Sequence, residues 1–183
     1  MNRPRSNSRR SVLLDRFTLL ERADSILSTP PARDWIVRPV PRGDRVARFV
    51  LSTDVCKTSN STRHSTARGQ GAVKSEIWST MLAQAGGLQD GPVSERPQVI
   101  CVRFSTHETD PYSDWAKAAV DMLRMWRHRR HKIGPKVVVT KIRGLGFLAE
   151  DSGRHVDLHQ HWEPAKRGQG FVYIEVWTGK AAA

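Results

Sequence analysis

The sequence predicts an α+β fold in the order β-α-β-α-β-β behind an N-terminal extension, and three observations carry that prediction. Apolar runs at 46–51, 97–104 and 171–177 have the length and the Val, Ile and Phe content of strands. Two longer stretches, 72–85 and 111–126, place apolar residues at helical spacing. A further stretch, 155–162, alternates, with Val156, Leu158 and Gln160 opposite His155, Asp157, His159 and His161.

Taken in order, residues 1–45 read as a loosely attached basic arm. Leu13, Leu14, Phe17, Leu20 and Ile26 give it one helix, and Pro30-Pro31, Pro39, Pro41 and Gly43 then break regular structure. Such an arm either contacts phosphates or stays solvated. The compact domain spans 46–178 and opens with a strand and a polar loop, 52–71. Val73, Ile77, Met81 and Leu82 mark the apolar side of the next helix, which Gly86-Gly87 ends. The run Val99-Ile100-Cys101-Val102 is a buried strand. In the helix 111–126, Trp115, Ala118, Ala119, Met122 and Trp126 gather on the side that packs on the sheet. A basic insertion, 127–141, contains Val137-Val138-Val139 as a short strand. After a Gly-rich turn, 144–152, the last two strands are expected to pair as a hairpin across Gly168-Gln169-Gly170. Residues 179–183 read as a disordered tail.

With 183 residues the chain suits one domain plus an extension. Its 30 Lys and Arg against 18 Asp and Glu give a net charge of +12. That excess favours a polyanionic partner, nucleic acid before an anionic membrane surface. No apolar run reaches the ~18 residues of a membrane span, and Asp15, Arg16, Glu21 and Arg22 interrupt the stretch a signal peptide needs. Cys56 and Cys101 fit no zinc or redox spacing and read as reduced core residues of a cytoplasmic protein.

Against this basic background the acids are concentrated. On the helix 111–126, Asp114, Lys117 and Asp121 fall on one face beside the apolar side. Asp110 before Pro111 also reads as an ordinary helix start, an Asp cap with proline in the first turn. Asp121 and Lys117 are also an ordinary i, i+4 pair. The Gly-rich turn then ends in Glu150-Asp151, a second set of carboxylates able to face the helix. Hard oxygen ligands for Mg²⁺ and a nearby Lys for the scissile phosphate are the parts that metal-assisted phosphodiester cleavage needs.

The segments 114–123 (Asp-Trp-Ala-Lys-Ala-Ala-Val-Asp-Met-Leu) and 146–151 (Gly-Phe-Leu-Ala-Glu-Asp) resemble the RusA family of Holliday junction resolvases. That family has a helix reading roughly Asp-Asn-x-x-Lys-Ala-x-x-Asp-x-Leu, then a Gly-x-hydrophobic-x-Asp-Asp turn before a strand. Lys57 to Arg63 is similar to the family's Ser-Asn-Asn-Arg-like loop. The resemblance covers about 45–177. It implies a mixed four-stranded sheet covered by two helices, and a homodimer that nicks opposed strands of four-way DNA junctions with Mg²⁺ or Mn²⁺. It implies Asp110, Asp114 and Asp151 as metal ligands with Glu150 beside them, Lys117 as the catalytic lysine acting with Asp114 and Asp151, and Asp121 as a supporting residue. The chain departs from the pattern in spacing: three residues separate Asp110 from Asp114 where the family has one between its paired acids. Glu150 replaces the first turn acid, the stretch 124–143 is longer than the family's connection, and the N-terminal arm is extra.

The densest cationic run, 124–132, supplies Arg127, Arg129, Arg130 and Lys132 as expected DNA contacts, with Asn60 and Arg63 from the polar loop. His155, Asp157, His159 and His161 share one strand face, either as a solvent-facing polar side or as a metal row, the former favoured. The expectation is a Mg²⁺-dependent, structure-selective endonuclease for branched DNA, of phage or prophage origin. Its alternative is a DNA-binding protein on the same fold without catalysis.

Overall fold

The computed structural model describes residues 16–56, 67–108 and 114–179. Asp110, Asn60 and Arg63 lie outside the described residues. Helix α1 (Arg16–Ser28) is followed by strand β1 (Arg45–Ser52), helix α2 (Ala67–Ala85), strand β2 (Gln98–Ser105) and the short helix α3 (Lys117–Leu123). Strands β3 (Trp126–Ile133), β4 (Lys136–Arg143), β5 (Asp157–Pro164) and β6 (Phe171–Trp177) complete the chain.

The fold is α+β. Four strands form one mixed sheet in the order β1-β6-β2-β5, with β6 antiparallel to both neighbours and β5 parallel to β2. The expected hairpin between the last two strands does not form, because β2 lies between them. Burial decides this: β6 is almost wholly apolar and buried from Phe171 to Val176, so it takes a central place, while the alternating β5 takes the edge. The link between them passes over the end of β2. There the Ala165 N–H bonds the Ser105 carbonyl at 3.0 Å, and Gly170 lies against the Phe104 carbonyl, too close for a Cβ.

One sheet face, with Phe49, Leu51, Val99, Cys101, Val172 and Ile174, packs on Ile77 and Met81 of α2 and on Ala119 and Leu123 of α3. The other face, with Val50, Ile100, Val102, Phe104 and Tyr173, packs on Leu20 and Ala23 of α1. The described part of the N-terminal region, from Arg16 on, is therefore docked, not the loose arm its prolines led us to expect. Prolines remove regular backbone pairing but not side-chain anchorage. Arg38 gathers the carbonyls of Ile26, Leu27 and Thr29 at the end of α1 and pairs with buried Glu163 at 2.5 Å. Trp35 stacks on Trp162 at 6.0 Å, and Ile36 is buried.

Helix α2 presents Gln84 to β1, where its amide accepts from the Val50 N–H at 2.8 Å and donates to the Val50 carbonyl at 2.7 Å. Both cysteines are buried and free, as expected of core residues, and burial pushes the Cys56 thiol up to about 12.

The acidic helix is much shorter than the pattern 111–126: α3 covers Lys117–Leu123, and Arg124 is already extended at φ −62°, ψ 152°. A competing partner ends it. Arg124 bridges Leu148 in parallel, the Leu148 N–H bonds the Leu123 carbonyl at 3.0 Å, and the Met125 N–H bonds the Leu148 carbonyl at 2.6 Å. Trp126 leaves the helix for β3, where Lys141 and Arg143 lie over its ring at 4.7 and 5.3 Å.

The basic insertion is a complete two-stranded ribbon, with β3 and β4 antiparallel over all eight residues from Trp126↔Arg143 to Ile133↔Lys136. Its two ends meet in a tight neck, where the Gly144 N–H bonds the Met125 carbonyl at 3.0 Å and the Leu145 N–H bonds the Met122 carbonyl at 2.8 Å. A Cβ on Gly144 would overlap the Arg124 carbonyl, so only glycine closes this neck.

Candidate functional site

The neck returns the chain to the C-terminal end of α3, and that return makes the site. In the turn after Gly144, the buried Leu145, Phe147 and Leu148 anchor the backbone in the core. Gly146, at φ +95°, fits against the Gln89 carbonyl. The turn is clamped from its far side too: the Gln89 N–H bonds the Leu145 carbonyl at 2.7 Å, and the Val93 N–H bonds the Phe147 carbonyl at 3.1 Å. Asp151 is thereby set against the outer side of α3.

There Lys117 and Asp121, one helical turn apart, form an ion pair at 3.1 Å. Lys117 Nζ also donates to Asp151 Oδ2. Arg124 Nη1 pairs with Asp151 Oδ1 at 3.1 Å and lies 4.0 Å from Asp121 Oδ1. Two carboxylates and two cations thus form one cluster. Its carboxylates are unequal. Burial pushes Asp121 up, and hydrogen bonding to Asp151 adds to this, with Lys117 only partly offsetting them. Burial alone would push Asp151 up as well, but hydrogen bonds to Lys117 and Asp121, with Arg124 nearby, take it below the usual carboxylate range. For Lys117 the cost of burial is outweighed by the two acids, and its ammonium is held more firmly than in water. The pair therefore has one firm anion, Asp151, and one readier proton holder, Asp121.

Asp121 also lines a cavity of about 450 Å³ between α2 and the base of the ribbon, with Lys74, Ser75, Trp78, Arg124 and Arg127. The Arg127 guanidinium lies over the Trp78 ring at 4.5 Å. Arg129 and Arg130 also line this cavity. Lys132 stands exposed further along the ribbon, near its tip.

Among the expected site residues, then, the structure brings Lys117, Asp121 and Asp151 together and sets Arg127, Arg129 and Arg130 around the cavity that Asp121 lines. Asp114 stands exposed just before α3, its backbone carbonyl accepting the Lys117 N–H at 3.0 Å, and Glu150 is exposed beside Asp151. Asp121, expected only to support, is one of the two converging acids. Arg124, Lys74 and Trp78 were missed as site residues. Arg124 follows Asp121 at i+3, which signals an ion pair, but nothing local signals that α2 faces the ribbon.

The histidine row has a different outcome. No group of three or more His, Cys, Asp or Glu is placed to hold a metal among the described residues. As a solvent-facing side the row holds only in part: the His159 and Asp157 side chains are 37 and 26 % exposed, but that of His161 is only 10 % exposed, beside Arg38 and Glu163. Burial, with Arg38 and His159 nearby, pushes its imidazole down to about 4. Glu163, 3.7 Å away, is already engaged by Arg38. Buried Glu175 is likewise structural, its oxygens taken by Arg45, Tyr173 and Trp177.

The converging pair Asp121 and Asp151 suits a hard divalent cation that draws its other oxygens from water and a phosphate, and falls short of a complete protein-made cage. Among the described residues no helix is long and apolar enough to cross a membrane. Comparison with protein-family models, with curated proteins and with solved structures finds no match for this chain.

Proposed function

We propose that the chain is a Mg²⁺- or Mn²⁺-dependent endonuclease for branched DNA, acting as a homodimer in the manner of the RusA resolvases it resembles. One observation carries this reading: a carboxylate pair held by Lys117 and Arg124 borders, through Asp121, a cavity walled by cations. Asp121 and Asp151 would hold the cation, whose chemistry is to activate water and offset charge on the leaving oxygen. Lys117, now shared between the two acids, would turn toward the scissile phosphate once a cation takes its place. Arg124 would keep Asp151 ionised and oriented. Lys74 and Arg127 would hold flanking phosphates, and Trp78 with the Arg127 guanidinium offers a flat surface to an unstacked base. Water serves as the nucleophile. Glu150 and Asp110 remain candidate ligands by resemblance.

A second reading has its own support. Both carboxylates are already neutralised by Lys117 and Arg124, as in a structural ion network, which favours a DNA-binding protein without catalysis.

A synthetic four-way junction incubated with Mg²⁺, with Mn²⁺ and with EDTA separates the two. The expected result is paired nicks in either metal. Asp121→Asn and Asp151→Asn should each lose about a hundredfold or more in cutting rate while junction binding persists. Binding without cleavage in either metal transfers the conclusion to the second reading. Asp114→Asn tests geometry against motif: retained cutting supports Asp121 as the helix ligand, and lost cutting puts Asp114 back with the pair.

A further inference from the structure

The ribbon is built unlike a hairpin that covers a core. Between 126 and 143 it carries seven Lys or Arg and no Asp or Glu. Every residue of β4 from Lys136 to Lys141 is exposed, including Val137, Val138 and Val139 at 63, 42 and 53 %. Strand alternation puts Arg130, Lys132, Val137 and Val139 on one face and Arg129, Ile133, Lys136 and Val138 on the other. Cations and apolar groups are therefore mixed on both faces. A membrane-surface element would separate them, apolar on one side and basic on the other. A partner that surrounds the ribbon, with phosphates on its rims and thymine methyls among the base edges of its floor, matches both faces at once.

We infer that the β3–β4 ribbon seats in the major groove of a B-form DNA duplex, gripping an arm of the substrate beside the carboxylate pair. This rests on the nucleic-acid reading of the site but not on cleavage. Size agrees with it: eight residues per strand extend about 26 Å at ~3.3 Å per residue. A two-stranded ribbon fits a major groove about 12 Å wide and is excluded from a minor groove of about 6 Å. The deep, narrow major groove of A-form RNA does not admit it. The neck fixes direction, since Arg127 at the ribbon base and Asp121 line the same cavity. The contacts are cationic side chains along a repeating backbone, so the grip is indifferent to base sequence.

The test is binding of the full chain, in EDTA, to a labelled DNA duplex about 30 base pairs long. It is compared with an RNA duplex of the same sequence, with single-stranded DNA and with anionic vesicles. We expect the DNA duplex to be bound at least tenfold tighter than each of the others. Methyl green, a major-groove ligand, should displace the protein, and netropsin, a minor-groove ligand, should not. The triple variant Arg129→Ser/Arg130→Ser/Lys132→Ser, with its fold checked by circular dichroism, should weaken duplex binding at least tenfold. It should also lower the slope of log affinity against log salt by nearly 3, at about 0.9 per lost phosphate contact. Unchanged affinity in this variant, equal binding of the RNA duplex or of vesicles, or displacement by netropsin alone each overturns the inference. Val137→Ser/Val139→Ser supplies a second readout on exposed positions, with a weaker loss and no change in salt slope. Cutting and gripping fail separately: ribbon-dependent binding with no cleavage sinks the nuclease reading alone, and cleavage with ribbon-independent binding sinks the ribbon alone.

Discussion

The two halves of the stretch 117–151 are built on opposite principles. Its ends, α3 and the turn from Gly144 to Asp151, are stitched by backbone hydrogen bonds and sunk in the core through Leu123, Leu145 and Leu148. Its middle, the ribbon, is exposed along almost all of β4 and is held to the body at its base by Arg127 and Arg143. Rigid packing suits chemistry, in which carboxylates must hold position within a fraction of an ångström. An exposed ribbon that carries cations and no acids suits the proposed grip, which tolerates any sequence. One stretch of chain thus separates fixing from holding.

Mutations can break this contrast, beginning where it is steepest. Gly144→Ala drives a methyl into the Arg124 carbonyl and should cost more than about 4 kcal/mol, or prevent folding. Gly134→Ala at the ribbon tip, φ +59° with open space around it, should cost only about 1 kcal/mol. Urea unfolding midpoints compare the two, and equal losses would erase the distinction between neck and tip. Next, Leu148→Ala empties a fully buried site and should cost about 4 kcal/mol. Val138→Ala on the ribbon should stay within about 0.5 kcal/mol.

The covered edge of the sheet sharpens the comparison from a third position. His161 is buried neutral, its pKa moved from 6.5 to about 4 by burial, Arg38 and His159. The unfolded chain therefore binds the proton more readily, and stability falls as pH drops from 6.5 toward 4. The loss should approach about 3 kcal/mol at ~1.4 kcal/mol per unit. His161→Leu, which also removes two buried nitrogens lacking hydrogen-bond partners, should flatten that part of the profile in thermal melts at several pH values. A steep step retained in the variant would assign it elsewhere. Smallest, Asp151→Asn leaves Lys117 and Arg124 facing an amide. Because Lys117 is more than half exposed, we expect a loss of only about 1 kcal/mol, against none measurable for Arg130→Ser.

Much of the fold was legible in the residues. Apolar runs marked β1, β2 and β6, and the spacing of Ile77 and Met81 marked α2. Strand pairing was not legible, because the short Gly168–Gly170 link imitates a hairpin while the placement of β6 depends on burial over both faces. The length of α3 was hidden for a similar reason: Met122 and Trp126 continue its helical spacing, yet a partner from Leu148, twenty-four residues beyond Arg124, ends it. At the candidate site, the local pattern set Lys117 and Asp151 in one group, as the structure does, and gave Asp121 a supporting place although it converges with them. Spacing along a helix cannot tell which acid faces an element that returns after an insertion. Trp78 and Lys74 enter from α2, whose approach to the ribbon is purely tertiary.

The side chain of Gln84 bears on where two copies of this chain can meet. It occupies the Val50 N–H and carbonyl with an amide that imitates a neighbouring strand. Arg16 takes the Arg48 carbonyl two residues away at 3.4 Å. A second protomer adding its own strand to β1 would have to strip away both contacts before gaining any of its own. Continuous sheet through β1 is therefore blocked at the middle of this edge, and the proposed dimer would have to join through another surface.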